Sequence, residues 1–368
     1  MTTERKGALP SQMLKELIES GAIIGANENN VSPASLDLSL SNEVYKISGL
    51  LLPRGGEKIK DLLSLMGAEE HSLSQPLVCG EMYLARLNET LVLPSDVYGF
   101  CNPKSSTGRL DMHVRVLADG IPRYDSVTPK GYQGELWAAI HPKSFSVQVH
   151  EGTPLTQLRL FTGDTRLRET DLQDTIIDNQ LVWHETEERP LSYDELLTHD
   201  QDGTLILTAM IGEGICGYEC IAKPDMVLDV VNVNTYKAED FFTPVYAENG
   251  VLHLKHDKFY ILSGAERIRI PPVLASEMVP MDERSGDFRS HYAGFLDPGW
   301  GWGSDGNGHG RPFTLEVRPF EDLVVRKGQP IAKIKFERVV EEPDIHYDTK
   351  ASNYLKQSGP KLGKQFIQ

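Results

Sequence analysis

Apolar and polar residues alternate in short runs along most of the chain: S-L-D-L-S-L at 35–40, V-L-D-V-V-N-V at 227–233, R-I-R-I at 267–270, L-V-V-R at 323–326 and A-K-I-K-F at 332–336. Period two is the strand period, and turn residues interrupt the runs at short intervals, so the pattern predicts many short strands. Helical spacing is rare. In SQMLKELIES (11–20), apolar positions 13, 14, 17 and 18 behind Ser11 as N-cap predict one helix. Ile59, Leu62, Leu63 and Leu65 predict a second over 57–66, and L-S-Y-D-E-L-L a short third ahead of an H-D-Q-D-G turn.

The strand pattern occurs twice. EMYLARLNETLVLPSDVYGFCNP (81–103) matches KFYILSGAERIRIPPVLASEMVP (258–280): Tyr83 pairs with Tyr260, Glu89 with Glu266, Pro94 with Pro271 and Pro103 with Pro280. VHEGTPLTQLRLF (149–161) matches VRKGQPIAKIKF (325–336) at almost the same separation. Two segments in register predict two copies of one β domain, 1–165 and 205–368, joined by a polar, acidic stretch at 166–204.

Composition narrows the class. The chain has 368 residues, 40% of them hydrophobic and 24% charged, which is the profile of a soluble globular protein. Its apolar runs are too short to span a bilayer, no signal core opens it, and four cysteines are too few for a disulfide framework. The expectation is a reduced, cytoplasmic protein without a membrane partner. A net charge of −16 argues against a nucleic-acid polymer as ligand, but a few local cations suffice for a single nucleotide.

Such cations stand at 103–109, P-K-S-S-T-G-R, directly after the strand-like Val97 to Phe100. Lys104 and Arg109 can pair with phosphate oxygens while Ser105 and Ser106 donate to them. The spacing is not that of a P-loop. The second copy's version, P-M-D-E-R-S-G-D-F-R at 280–289, keeps Arg284, Ser285 and Arg289 but adds Asp282, Glu283 and Asp287, which would repel a triphosphate. The second copy instead holds H-Y-A-G-F-L-D-P-G-W (291–300) followed by P-F-T-L-E-V (312–317). By period alone Glu316 reads as an outward-facing strand residue. The corresponding first-copy strand, Leu136 to Ile140, has no carboxylate there; Glu135 lies earlier, beside Gly134.

K-S-S-T-G-R, H-V-R-V-L-A (113–118), V-S-P-A-S-L-D-L-S-L (31–40) and D-P-G-W with Glu316 together resemble the deoxycytidine triphosphate deaminases, of the same superfold as the trimeric dUTP pyrophosphatases. The resemblance implies a mainly β fold: two tandem dUTPase-like distorted, jelly-roll-like β-barrels with a few short helices. It implies hydrolysis of dCTP to dUTP and ammonia, with Glu316 as general base and acid. Lys104, Ser105, Ser106 and Arg109 are then the triphosphate loop. Ala293, Trp300, Thr314 and Leu315 hold the base and sugar, and Asp297 holds the deoxyribose or orders the site. Tyr354 and Gln357 belong to a tail that covers the nucleotide. That tail carries Asn353 where the family has a lysine, with Lys356 as a substitute.

The insert G-W-G-S-D-G-N-G-H-G (301–310) reads as a loop rather than a phosphate cradle. One copy keeps the loop and the other the carboxylate, which favours a composite site between domains of a homo-oligomer. Two kinds of domain cannot alternate around a ring of three, so a second arrangement stays open in which Arg284, Ser285 and Arg289 serve Glu316. Mg²⁺ is expected on the triphosphate. Zinc is not expected, since neither His-x-Glu nor Pro-Cys-x-x-Cys occurs. Three other readings remain at this level: a dUTP pyrophosphatase, which needs a water-orienting aspartate and an Arg/Gly-rich arm where the chain offers only Asp125 at some distance after Ala118; a bifunctional enzyme; and a non-catalytic nucleotide sensor.

Overall fold

The structure, a computed structural model, describes residues 6–197, 201–281, 288–290, 294–349 and 357–367, with the side chains of 288–290 excepted. It is mainly β. In the N-terminal half, strands Met112–Ala118, Gln133–Pro142, Met82–Val92, Leu36–Ile47, Pro154–Thr162, Val97–Pro103 and Ser126–Val127 pair in that order, a nearly closed barrel. In the C-terminal half, Phe242–Tyr246, Ile215–Cys220, Tyr260–Ile268, Arg311–Pro319 and Phe288–Ser290 form one sheet. Thr204–Thr208, Pro330–Arg338, Leu274–Val279 and Phe295–Leu296 form another.

Residues that match in sequence also match in bonding. Val78 N donates to Tyr83 Oη at 2.9 Å, and Lys255 N donates to Tyr260 Oη at 2.9 Å. Glu89 accepts from the backbone and hydroxyl of Ser39 (3.0 and 2.9 Å), as Glu266 does from Thr208 (2.9 and 2.7 Å). Each half thus fills an irregularity in its strand pairing with a carboxylate, an interaction needed because backbone N–H groups shut away from water must find partners.

Helix Ser11–Glu19 forms where the spacing predicts it, burying Met13, Leu14 and Leu17. Its N-cap is Pro10 rather than Ser11, which is the first helical residue and turns its hydroxyl to Gln12. The second predicted helix is a run of 3-10 turns, Ile59–Met66, closed by Gly67 in the left-handed region (φ 61°). The third shrinks to Tyr193–Glu195, capped by Ser192 and Glu195. Within the polar stretch, helix Glu169–Asn179 was not foreseen. Its apolar positions are sparse, but Leu172 and Ile176 are enough to seat it in the C-terminal core.

The two halves share a core. The N-terminal cluster includes Leu228, Phe241, Phe242, Phe259, Ile261, Leu362 and Phe366 alongside Leu36, Leu38 and Leu160. Two segments of the C-terminal half cross over to make this contact. Val227–Asp229 pairs in parallel with Ser146–Gln148, and Phe366–Ile367 pairs with Tyr236–Lys237. Burial of each large apolar side chain contributes roughly 1.5–3 kcal/mol, so seven of them hold the halves firmly together. This docking sets the P-K-S-S-T-G-R turn against strand Arg311–Pro319. No helix among the described residues is long and apolar enough to cross a membrane.

Candidate active site

Strand Arg311–Pro319 is covered on both faces. Phe313, Leu315 and Val317 enter the C-terminal core, and the opposite face presents Thr314, Glu316 and Arg318 to the N-terminal half. Glu316 is therefore not outward-facing: it is 2% exposed. Burial pushes its carboxyl up to about 7, partly offset by the Arg109 guanidinium and a backbone N–H.

Arg109 comes from the other half. The short helix Ser105–Gly108 follows Pro103 and ends at Arg109, which is 4% exposed and lies with Nε 3.9 Å from Glu316 Oε1. Its Nη2 donates to Gln357 Oε1 (3.0 Å) and its Nη1 to the Lys361 carbonyl (2.9 Å), while Gln357 Nε2 donates to the Pro312 carbonyl (2.8 Å). The tail is thus fastened to both the loop and the strand. Between them lies a cavity of about 60 Å³ whose walls include Ser105, Arg109, Trp300, Thr314, Glu316 and Gln357. That holds a few waters, not a nucleotide. Trp300 stacks on Phe313 (5.0 Å between centroids, 9° between planes), giving a flat apolar wall, and the Thr314 hydroxyl is buried without a hydrogen-bond partner.

The remaining expected residues divide. Lys104 and Ser106 face a neighbouring cavity of about 470 Å³, where Lys104 pairs with Asp37 and Lys364 enters from the tail. Asp297 is 5% exposed and lies behind the first cavity, accepting from Arg159 Nη2 (2.9 Å) and Ser35 Oγ (3.0 Å). The Leu315 side chain is in the core, on the far face of its strand. Ala293, Tyr354, Arg284 and Ser285 lie outside the described residues, as do Asn353 and Lys356. Arg289 belongs to strand Phe288–Ser290, opposite Arg318 in register. The 301–310 insert is a tied loop, with Gly308 N donating to Trp302 O (2.7 Å) and Arg269 donating to the Gly306 and Gly308 carbonyls. Gly294 brings the two halves close: a Cβ there would sit 3.2 Å from the Pro103 carbonyl, a tight contact, and 3.7 Å from Ser105 Oγ, an ordinary one.

Residues 5–164 match the 2'-deoxycytidine 5'-triphosphate deaminase (DCD) N-terminal domain, and residues 172–366 match the DCD C-terminal domain. The chain belongs to the dCTP deaminase family. Among solved structures it is similar to 2'-deoxycytidine 5'-triphosphate deaminase from Agrobacterium tumefaciens, at 33% identity and a TM-score of 0.82, with 94% of this chain and 99% of that one covered. No curated protein matches it by sequence. Hydrolytic deamination of dCTP is the function this membership carries, and the pyrophosphatase and sensor readings are not favoured.

Two buried charged residues between the halves escaped the sequence reading. Arg159 is fully buried between the halves, and its signal was a cation standing between Leu158 and Leu160 on an otherwise apolar strand. Asp111, two residues beyond Arg109 and also fully buried, carried no signal, because nothing in the sequence shows what faces it.

Proposed function

We propose that Glu316 is the proton-transfer group of this dCTP deaminase and that Arg109 and Ser105 belong to its nucleotide site. The observation that carries the reading is a fully buried carboxyl held near pH 7, beside Arg109, on a cavity walled by Trp300. A group poised there can both accept and donate a proton at neutral pH. Water adds to C4 of the cytosine while Glu316 takes its proton and passes it to N3. Glu316 then moves the new hydroxyl's proton to the amino group, the C4–N bond breaks, ammonia leaves and C4 becomes the uracil carbonyl. Arg109 keeps part of the carboxylate population available, and the Thr314 hydroxyl is free to meet the pyrimidine.

The triphosphate enters with Mg²⁺ as part of the substrate. Among the described residues no three His, Cys, Asp or Glu side chains cluster to hold a metal. Phosphate oxygens and water would therefore carry the ion, which suits its preference for hydrated octahedral coordination. Because loop and carboxylate meet within one chain, the reading favours the composite arrangement over a site served by Arg284, Ser285 and Arg289. A cytoplasmic location and homo-oligomeric assembly are part of the same proposal.

Glu316→Gln tests the reading. The variant keeps the shape and deletes proton transfer, so ammonia release from dCTP should fall by ~10²–10⁴-fold. Calorimetric affinity for dCTP should stay within an order of magnitude. Deamination near the wild-type rate would remove Glu316 from the mechanism.

A further inference from the structure

Glu316 and Arg318 stand two apart on strand Arg311–Pro319 and so leave the same face. Arg109 and Asp111 stand two apart in the turn between helix Ser105–Gly108 and strand Met112–Ala118. The structure sets these pairs against each other. Arg109 faces Glu316, and Asp111 accepts from Arg318 Nη2 on Oδ2. The order of charge is Arg-x-Asp against Glu-x-Arg.

The outer pair is built in from both sides. Asp111 is fully buried, with Ser144 Oγ donating to the same Oδ2 at 2.5 Å and Lys143 N donating to its carbonyl at 3.0 Å. Its φ of 51° is a left-handed conformation that a non-glycine residue holds only when its surroundings impose it. Arg318 Nη1 donates to the Asp257 carbonyl, anchoring the guanidinium in the C-terminal half. Neither Asp111 nor Arg318 lines the cavity at Glu316.

We propose that Asp111 and Arg318 form a positioning pair that fixes the register at which the Arg109 turn meets the strand bearing Glu316. This rests on the reading of Glu316 given above. A slip of the turn by one such step would bring Arg109 against Arg318, or Asp111 against Glu316. Like charges would then meet in a buried interface, where repulsion is poorly screened. A buried ion pair adds little net stability compared with apolar packing, so its effect is expected in geometry. Geometry matters here because a displacement of about 1 Å at a reacting centre can lower a rate by roughly a hundredfold.

The test is steady-state deamination of dCTP by the full chain for Asp111→Asn, Arg318→Met, the double variant and Arg318→Lys, with Glu316→Gln in the same series. Thermal unfolding of each variant supplies the folded fraction. Per folded molecule, kcat should fall at least tenfold in each of the first two variants. KM should move less than in Arg109→Ala. The double variant should be no worse than the poorer single one, because each removes the same interaction. Arg318→Lys should recover part of the loss.

If Asp111→Asn does not fold, Arg318→Met, altered on a partly exposed side chain, carries the test alone. A lowered melting temperature with kcat within twofold of wild type would overturn the proposal, as would losses that multiply in the double variant. An inert Glu316→Gln beside fully active Asp111→Asn and Arg318→Met overturns the positioning role alone. An active Glu316→Gln overturns the reading on which it rests.

Discussion

Arg159 and Asp297 join the two halves, Nη2 to Oδ1 at 2.9 Å, with the arginine fully buried. The same guanidinium donates from Nη1 to the Ser276 carbonyl (2.8 Å) and from Nε to the Ala34 carbonyl (3.2 Å). Asp297 directly precedes the Pro298-Gly299-Trp300 turn, so Arg159 holds the segment that places Trp300.

Arg159→Met should therefore lower both stability and turnover. Removing one member of a buried pair strands the other charge and typically destabilises by ~3–5 kcal/mol. Urea unfolding measures the first effect and dCTP deamination the second. A change below about 1 kcal/mol would show that Asp297 finds other partners readily.

The pH profile follows from Glu316. In the role proposed for it, the Glu316 carboxyl must be ionised to accept a proton from water, and burial pushes it up to about 7, above the ordinary carboxyl range. On the acid side of about 7, kcat/KM should drop close to tenfold per pH unit. Stability runs the opposite way. A folded-state value above the unfolded one means the stabilisation is complete below the ordinary carboxyl range and is lost as pH rises through about 7. Stability should consequently fall between pH 5 and 8 more in wild type than in Glu316→Gln. An acid limb that stays at pH 7 in an active Glu316→Gln enzyme would assign the titration elsewhere.

Arg109→Ala should weaken dCTP binding about ten- to a hundredfold, the usual range for one charge-assisted contact. Arg289→Ala should change it little, since its loop carries Asp282, Glu283 and Asp287. The same Arg109 variant should move the acid limb upward, because Arg109 is what pulls the Glu316 value down. Calorimetric titration of both variants checks the first part, and a larger loss at Arg289 would transfer the phosphate site to the second loop.

The tail borders the cavity through Gln357 and is fastened there by Arg109. Phe366, 1% exposed and packed edge-on against Phe241 and Phe242 at 5.3 Å, secures it. Phe366→Ala should destabilise the protein by ~3–5 kcal/mol. It should also speed proteolysis of the tail in the absence of dCTP, with saturating dCTP restoring protection. Cleavage indifferent to dCTP would separate the tail from the site.

The strands, the repeat and the split of loop from carboxylate were legible because each is written in local order: alternation, matched tyrosines and glutamates, short motifs. What joins them was not. By period alone Glu316 reads as solvent-facing, because period two cannot say that the Arg109 turn and the tail cover the polar face of its strand; the resemblance, not the period, marked it as the carboxylate of the site. Asp297 was legible as a residue that holds the deoxyribose or orders the site, but Arg159, far away in sequence, could not be named as its partner. Helix Glu169–Asn179 was hidden because two apolar contacts suffice once a core stands ready to receive them. Lys104 and Arg109 read as one loop with one purpose, yet a single helical turn aims them at different cavities.

The crossing segments also dictate when this protein can fold. The N-terminal barrel buries Phe241, Phe259 and Phe366 among its own leucines, so its core cannot close until residue 366 has left the ribosome. At typical elongation rates of 5–20 residues per second, that leaves a nascent barrel waiting roughly 10–40 s for its last aromatic side chains. Contacts this distant along the chain make for slow folding. Nascent chains halted before Phe366 should stay protease-sensitive throughout the N-terminal half, and should depend on chaperones that shield exposed apolar surface until Phe366 has emerged.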